Sequence, residues 1–536
     1  MGDSRATPRK DLRGWYQLSI AALVVACGAC SFLLDRNATQ CTTDADCAAL
    51  GFHTYCQVGV CTNSGLGPSK PQCFFGAPSQ PDDFLNQCST GFLPDPTPTS
   101  TCVNFDDCAR LGVCNNNPPS LEAPDGGAAA ADAGQTTVGS LVPCSNASLG
   151  GAFNVVYVTG SSNFPNVLKE VAPVIQGSQP NVSPGPNPVF LTTNSCTAVK
   201  TMFGADHTIR DPPAGSALNK YAFYFDGSNN QVYCTLGSGG AQLDVGESDV
   251  YSSTCDPTLT AGGNSGVLEG LGPVQAMAFV VPTSSSEVSI SHEAAREVFG
   301  IGGNAQMAKP WIDPSLYFVR NKNTGTQQMI ALELGIDPNQ FWGIDQGSAN
   351  NVHDGLVSVN GSLVASEAIG IISVDVYDAD RINLRALAYQ ETGQDCAYLP
   401  DSTPDSKDKQ NVRDGHYPIW GPLHFYSPLM PTTDNSRAFL SFVAGYTQLQ
   451  ALIDAFIRAS VVPPCAMQVQ RDQNTELGTL STLPPSQQSC GCYFETQTRK
   501  DQPPTRGCNA CKSTADCVSG RACSILGFCE LDQTTP

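Results

Sequence analysis

The chain has 536 residues, too many for one small core, and its 50 glycines and 39 prolines imply long connections within a large two-lobed unit that carries extra segments. Lys and Arg number 28 against 49 Asp and Glu, a formal charge of −21 at pH 7. That balance excludes nucleic acid and an anionic membrane surface as main partners, but not a small anion held by local dipoles in a closed site.

Arg5, Arg9, Lys10 and Arg13 precede an apolar run from Leu18 to Ala26 that ends at Cys27. The pattern is that of an export signal, too short to span a bilayer comfortably. Leu23-Val24-Val25-Ala26-Cys27 resembles a bacterial lipobox. The resemblance implies lipidation of Cys27 and a tether to a membrane facing an oxidising space. An ordinary signal peptide cut near Ala29, or a signal anchor, is the alternative. The 24 cysteines fall into groups: ten from Cys41 to Cys144, four in the middle (Cys196, Cys234, Cys255, Cys396) and eight from Cys465 to Cys529, with Cys27 and Cys30 outside. Even groups predict disulfides that close within each segment. Cys41 to Cys47, Cys102 to Cys108 and Cys511 to Cys517 share one spacing, with an acidic residue before the second cysteine. They resemble the small Cys-rich repeats of bacterial surface lipoproteins, too short to bury much core without disulfides. Cys490 and Cys492 with Cys508 and Cys511 leave a zinc ribbon open as an alternative. Residues 118–137 lack large apolar side chains and predict a flexible linker.

Ordered α/β structure is predicted from Phe153. Phe153 to Val158 is a strand, Asn166 to Gln176 a helix despite Pro173, Val189 to Thr193 a strand and Cys196 to Phe203 a helix. Tyr221–Phe225 and Gln231–Leu236 form a hairpin around Asp226-Gly227-Ser228. Met277 to Val281 is a buried strand, His292 to Phe299 a helix, and Tyr317–Arg320 and Ile369–Val374 are strands. Apolar spacing from Phe439 to Ile457 predicts one long amphipathic helix.

Three strand-to-helix junctions carry hydroxyl and amide groups: Ser161-Ser162-Asn163, Asn194-Ser195-Cys196-Thr197 and Thr324-Gly325-Thr326. Open α/β sheets bind ligands at such junctions, although each Ser or Thr also suits a plain N-cap. Arg320 precedes the third junction and supplies a fixed fork of donors for an anion. Enzyme readings are weaker. Gly263-Asn264-Ser265-Gly266 echoes a serine-protease loop without a triad context. His292-Glu293 opens like a zinc-protease helix, but Arg296 stands where the second His is needed.

With Leu243-Asp244-Val245-Gly246-Glu247-Ser248-Asp249 added, the set resembles the phosphate-type periplasmic solute-binding proteins of bacterial ABC uptake systems. That family has a Gly-Ser-rich loop ending in Phe-Pro, a second Gly-Ser loop, an Asp-hydrophobic-Gly-x-Ser-Asp run and Arg-x-x-x-Ser-Gly-Thr. Matching residues occur here in the same order between Phe153 and Ala459. Asn163 replaces the family's Thr, Thr324 its first Ser, and the second loop is loose at Asn194-Ser195-Cys196-Thr197. Residues 207–243 read as an inserted hairpin.

The resemblance implies a two-lobed α/β periplasmic-binding-protein fold of type 2, with small disulfide-rich flanks. Its ligand-binding residues would be Ser161, Ser162, Asn163, Ser195, Thr197, Ser248, Asp249, Arg320, Thr324, Gly325 and Thr326. The expected segments are a signal peptide (1–27), a Cys-rich stretch (28–117), a linker (118–144), the binding domain (145–465) and a Cys-rich C-terminal segment (466–536). Lobe one would comprise about 145–278 and 375–465, lobe two about 279–374. The function implied is capture of a small oxyanion, phosphate first, for an ABC permease. It requires no enzyme activity, cofactor, metal or nucleic acid, and the protein would sit lipid-anchored in the cell envelope. The alternative is a surface adhesion or sensing lipoprotein that keeps the fold without transport.

Overall fold

The computed structural model describes residues 55–57, 60–62, 81–86, 102–103, 141–148, 154–177, 185–261, 265–302, 308–394, 396–429, 433–444, 449–472, 475–499 and 507–531. The signal segment, Cys27 and the 118–137 stretch lie outside them. Residues 1–70 are one unit, in which Tyr55–Gln57 pairs antiparallel with Val60–Thr62. The second unit, residues 71–536, contains everything that follows.

The elements that matter for function are β1 (Val155–Gly160), α1 (Phe164–Gly177), β2 (Asn187–Thr192), α2 (Ser195–Phe203), β3 (Val245–Ser248), α3 (Ser252–Cys255), β4 (Val267–Pro282), β5 (Tyr317–Val319), α4 (Gly325–Glu333), β6 (Ile369–Ser373), α5 (Val374–Ala379) and β7 (Trp420–Pro428). In lobe one, β1 lies parallel between β2 and β3, and β7 runs antiparallel beside β3. The predicted hairpin, Ala222–Phe225 with Gln231–Thr235, extends the far edge through β2. In lobe two, β5 and β6 are parallel, and Ile344–Asp345 adds a strand to β5.

β4 joins the lobes. Its first part pairs with β7 as far as Ala276, opposite Trp420, and its second part pairs with β6 from Met277, opposite Ser373. From Val274 to Pro282 both faces are covered. This explains why Met277-Ala278-Phe279-Val280-Val281 is a continuous apolar run and not an alternating one. α1 packs its apolar stripe, Phe164, Val167, Leu168, Val171 and Ile175, onto lobe one with β1 and β2. Pro173 sits inside this helix.

Three sequence expectations need correction. The long helix expected from Phe439 to Ile457 is two helices, Asp434–Val443 and Gln450–Arg458. Both bury apolar residues in the same core (Phe439 and Phe442, Leu452 and Phe456), so the spacing runs on across the break. Nor do the disulfides close only within their groups. Cys144 pairs with Cys234, fixing the edge strand Val142–Pro143 beside Gln231–Thr235. Cys396 is disulfide-bonded as well, and Cys196–Cys255 leaves it no partner in the middle group. The zinc ribbon is also overturned. Cys490 bonds Cys465, Cys492 bonds Cys508 and Cys511 bonds Cys523, so none of the four offers a thiolate.

The core does not stop at residue 465. Leu480, Cys490, Tyr493 and Phe494 pack in the same cluster as β4, and Cys465–Cys490 staples them there. Residues 507–531 follow as a small module: two bridges, Cys511–Cys523 and Cys517–Cys529, and the pair Arg521–Cys523 with Cys529–Leu531. Among the described residues, no helix is long and apolar enough to cross a membrane.

Candidate functional site

The C-terminal ends of five strands converge where the lobes meet. β1 releases Ser161, Ser162 and Asn163 before α1, and β2 leads through Asn194 to Ser195 at the start of α2. β3 is followed by Asp249, β5 by Arg320 and the α4 start, and β6 by α5 with Asp375 in its first turn. Helix starts leave backbone N–H groups without intrahelical partners, which is why hydroxyls and amides collect there. Asn194 accepts from Thr197 N at 2.9 Å and caps α2. Thr324 accepts from Gln327 N and caps α4.

Several hydrogen bonds cross between the lobes. The Ser195 hydroxyl accepts from Gly325 N at 3.1 Å, and Cys196 N donates to the Asn323 carbonyl at 3.1 Å. Asn163 Nδ2 donates to Thr326 Oγ1 at 3.2 Å, and Arg320 Nη2 donates to Ser162 Oγ at 2.7 Å. Asn166 Nδ2 reaches Asp375 Oδ2 at 2.7 Å. Gly325 permits this approach. A Cβ there would stand 2.5 Å from Asp249 Cβ and 2.7 Å from Ser195 Oγ.

Asp249 is the hub of lobe one. Its Oδ2 accepts from Ser161 Oγ at 2.6 Å, Asn163 Nδ2 at 3.0 Å and Ser195 Oγ at 3.3 Å. Its Oδ1 is buried without a partner among the described residues, as are Arg320 Nε and Nη1 and Asn163 Oδ1. Arg320 is 2% exposed and Asp249 1%. Burial pushes the Asp249 carboxyl up to about 6, although the Ser161 hydroxyl and Arg320 favour its charged form. Burial likewise pushes the Arg320 guanidinium down to about 10, opposed by Asp249, Asp345 and Asp375.

The structure thus brings together Ser161, Ser162, Asn163, Ser195, Asp249, Arg320, Gly325 and Thr326. Thr324 stands at the same helix start, with its hydroxyl used for the cap and for the Asn321 carbonyl. Ser248 is buried beside Asp249, but its hydroxyl closes its own loop through Val250 N and O. Thr197 faces solvent on α2, away from the cluster. Sequence reasoning missed Glu247 and Asp375. Glu247 is fully buried and its Oε2 accepts from Ser161 N at 2.7 Å. Asp375 accepts from Asn166 and from Gln275 Nε2. An acidic letter beside the Ser-Asp pair was the available signal for Glu247; Asp375 gave none, since its partners lie at least 100 residues away.

Two cavities lie elsewhere. One of about 490 Å³ is mainly apolar, walled by Trp420, Leu452, Phe456, Met467 and Leu483. The other, of about 300 Å³, has Glu333, Glu391 and Arg471 in its wall. Neither contains a residue of the junction cluster.

No protein-family profile matches the chain, and no curated protein matches it either. Solved structures do. A phosphate ABC transporter substrate-binding protein from Clostridium perfringens, with bound phosphate, is 14% identical, covering 58% of this chain and 99% of its own at a TM-score of 0.38. An ABC-type phosphate transport receptor from Vibrio cholerae is 12% identical over 58% of this chain and 100% of its own, TM-score 0.36. An OxyR variant from Corynebacterium glutamicum is 10% identical over 57% of this chain and 65% of its own, TM-score 0.31. The chain resembles phosphate-type solute-binding proteins in its two-lobed α/β architecture.

Proposed function

We propose that this chain captures a small oxyanion that carries a proton, hydrogen phosphate foremost, between its two lobes. One observation carries the reading: buried donors on Arg320 and a buried acceptor on Asp249 have no hydrogen-bond partners among the described residues, with Asp249 against Gly325 at the start of α4 and Arg320 acting on it from the strand before. Leaving such groups unsatisfied costs about 1–3 kcal/mol each, so they are better explained by a ligand than by folding. An oxyanion would take the Arg320 fork and the N-terminal dipole of α4. Asp249, largely ionised at neutral pH with a value of about 6, would accept the proton of hydrogen phosphate. It would repel sulfate, which has no proton to give.

Delivery to an ABC permease is the transport role that the sequence resemblance implies. A location outside the cytoplasm is supported by the disulfides Cys144–Cys234, Cys196–Cys255 and Cys465–Cys490, and the anchor at Cys27 belongs to the same proposal. No chemical step is required: the polar groups gathered here bind and orient. The experiment is a calorimetric titration of the mature protein with phosphate and with sulfate. Phosphate binding with weak or absent sulfate binding is the expected result. Binding of neither anion would favour a surface protein that retains the fold without transport.

A further inference from the structure

The junction cluster contains a carboxyl that the oxyanion reading does not use. Glu247 occupies the variable position of Asp244-Val245-Gly246-Glu247-Ser248-Asp249 and is fully buried at the end of β3. Its Oε2 accepts from Ser161 N, while its Oε1 has no partner among the described residues. Gly160 makes room for it, since a Cβ there would lie 2.3 Å from Glu247 Oε2. Ser161 therefore holds two carboxyls at once, Glu247 through its N–H and Asp249 through its hydroxyl.

Among the described residues, the groups around Glu247 give it no cation of its own. From the β1 side it meets Gly160 and Ser161, and from its own strand end Asp249. On β7 it pairs with Phe425, and the neighbouring His424 is tied to Glu269. Arg320 and Asp375 stand beyond Asp249, and both act on it. One guanidinium thus already faces Asp249 and Asp375 before any ligand arrives. A doubly charged oxyanion beside them leaves no compensation for a further negative carboxylate in an enclosed site.

We propose that Glu247 gates the site by its proton: neutral, it tolerates an oxyanion beside Asp249, and ionised, it expels it. This rests on the oxyanion reading above. Burial first, then the charge of Asp249, holds the Glu247 carboxyl well above the ordinary carboxylate range, against the Ser161 N–H that favours the charged form. The sign follows. Glu247 stays neutral on the acid side and ionises as pH rises, so it leaves affinity untouched at low pH and removes it toward high pH.

The test compares the Kd of inorganic phosphate for wild type and Glu247→Gln between about pH 5.5 and 9.5. The ratio of the two constants cancels the ionisation of phosphate itself. We expect the ratio of wild-type to variant Kd to be level at low pH and then to rise by about tenfold per pH unit once Glu247 ionises. A ratio that stays level throughout overturns the proposal. If the variant does not fold, wild type alone decides. Calorimetry in two buffers of different ionisation enthalpy, at alkaline pH where the wild-type Kd rises, should show uptake approaching one proton per phosphate bound, and no uptake overturns the gate. A wild type that binds no phosphate at any pH removes the oxyanion reading and the gate with it. Binding with a level ratio removes the gate alone.

Discussion

Two buried clusters of charge are made from the same residue types and are finished differently. In the first, Lys409 Nζ donates to Asp378 Oδ2 at 2.7 Å and to Asp401 Oδ1 at 3.0 Å. Arg381 donates to both of those carboxylates and sends Nη1 to the Pro404 and Ser406 carbonyls. Burial raises the Asp378 carboxyl, but Lys409 and Arg381 outweigh it and hold the group below its ordinary value. At the junction cluster, burial wins on Asp249 as it does on Asp401 in the first cluster, but Arg320 and Asp249 also keep buried atoms without partners among the described residues. A cluster whose charges are all matched is a structural clamp. A cluster whose donors and acceptors are left open is built for something that arrives later.

That contrast can be broken by substitution. Lys409→Ala should cost about 3–5 kcal/mol of stability, because it strands two buried carboxylates on one remaining cation; urea unfolding measures it. Arg320→Ala should instead cost about 2–5 kcal/mol of phosphate affinity, with a smaller stability loss than Lys409→Ala. Arg320→Lys should not restore binding, since the fork geometry is lost.

Asp249→Asn sharpens the same contrast through pH. The folded value of about 6 lies above the ordinary 3.8, so the folded state holds this proton more tightly. The stability this supplies is full below the ordinary value and is lost as pH rises through about 6. The empty protein should therefore be less stable at pH 8 than at pH 5, by about 1.4 kcal/mol from this group. Asp249→Asn should remove that part of the slope in pH-dependent thermal melts and relax discrimination against sulfate. The smallest effect belongs to the exposed pair Arg437–Asp434: Arg437→Ala should change stability by under about 0.5 kcal/mol.

The sequence made the lobes legible because β1 and β2 are apolar runs that end in small hydroxyl residues and β5 is an apolar run that delivers Arg320, all local signals. Arg320, Thr324, Gly325 and Thr326 were readable for the same reason, lying within one strand-to-helix turn. What could not be read depends on distant partners. Glu247 looks like an ordinary strand carboxylate until Ser161 N is placed against it from 86 residues away. Thr197 has the right spacing for a helix-start ligand, but Asn194 takes the cap and the side chain faces solvent. Cys144 belongs by position to the N-terminal cysteines, yet its partner Cys234 is 90 residues on, beside it only because Val142–Pro143 and Gln231–Thr235 are parallel strands.

The central claim is that the open donors and acceptor between the lobes await a protonated oxyanion. Calorimetry of phosphate and sulfate against wild type and Arg320→Ala tests it most directly. The account predicts phosphate binding by wild type, sulfate binding at least about tenfold weaker, a difference of about 1.4 kcal/mol, and loss of phosphate binding in the variant. A wild type that binds neither anion, or an Arg320→Ala protein that binds phosphate as tightly as wild type, would contradict it.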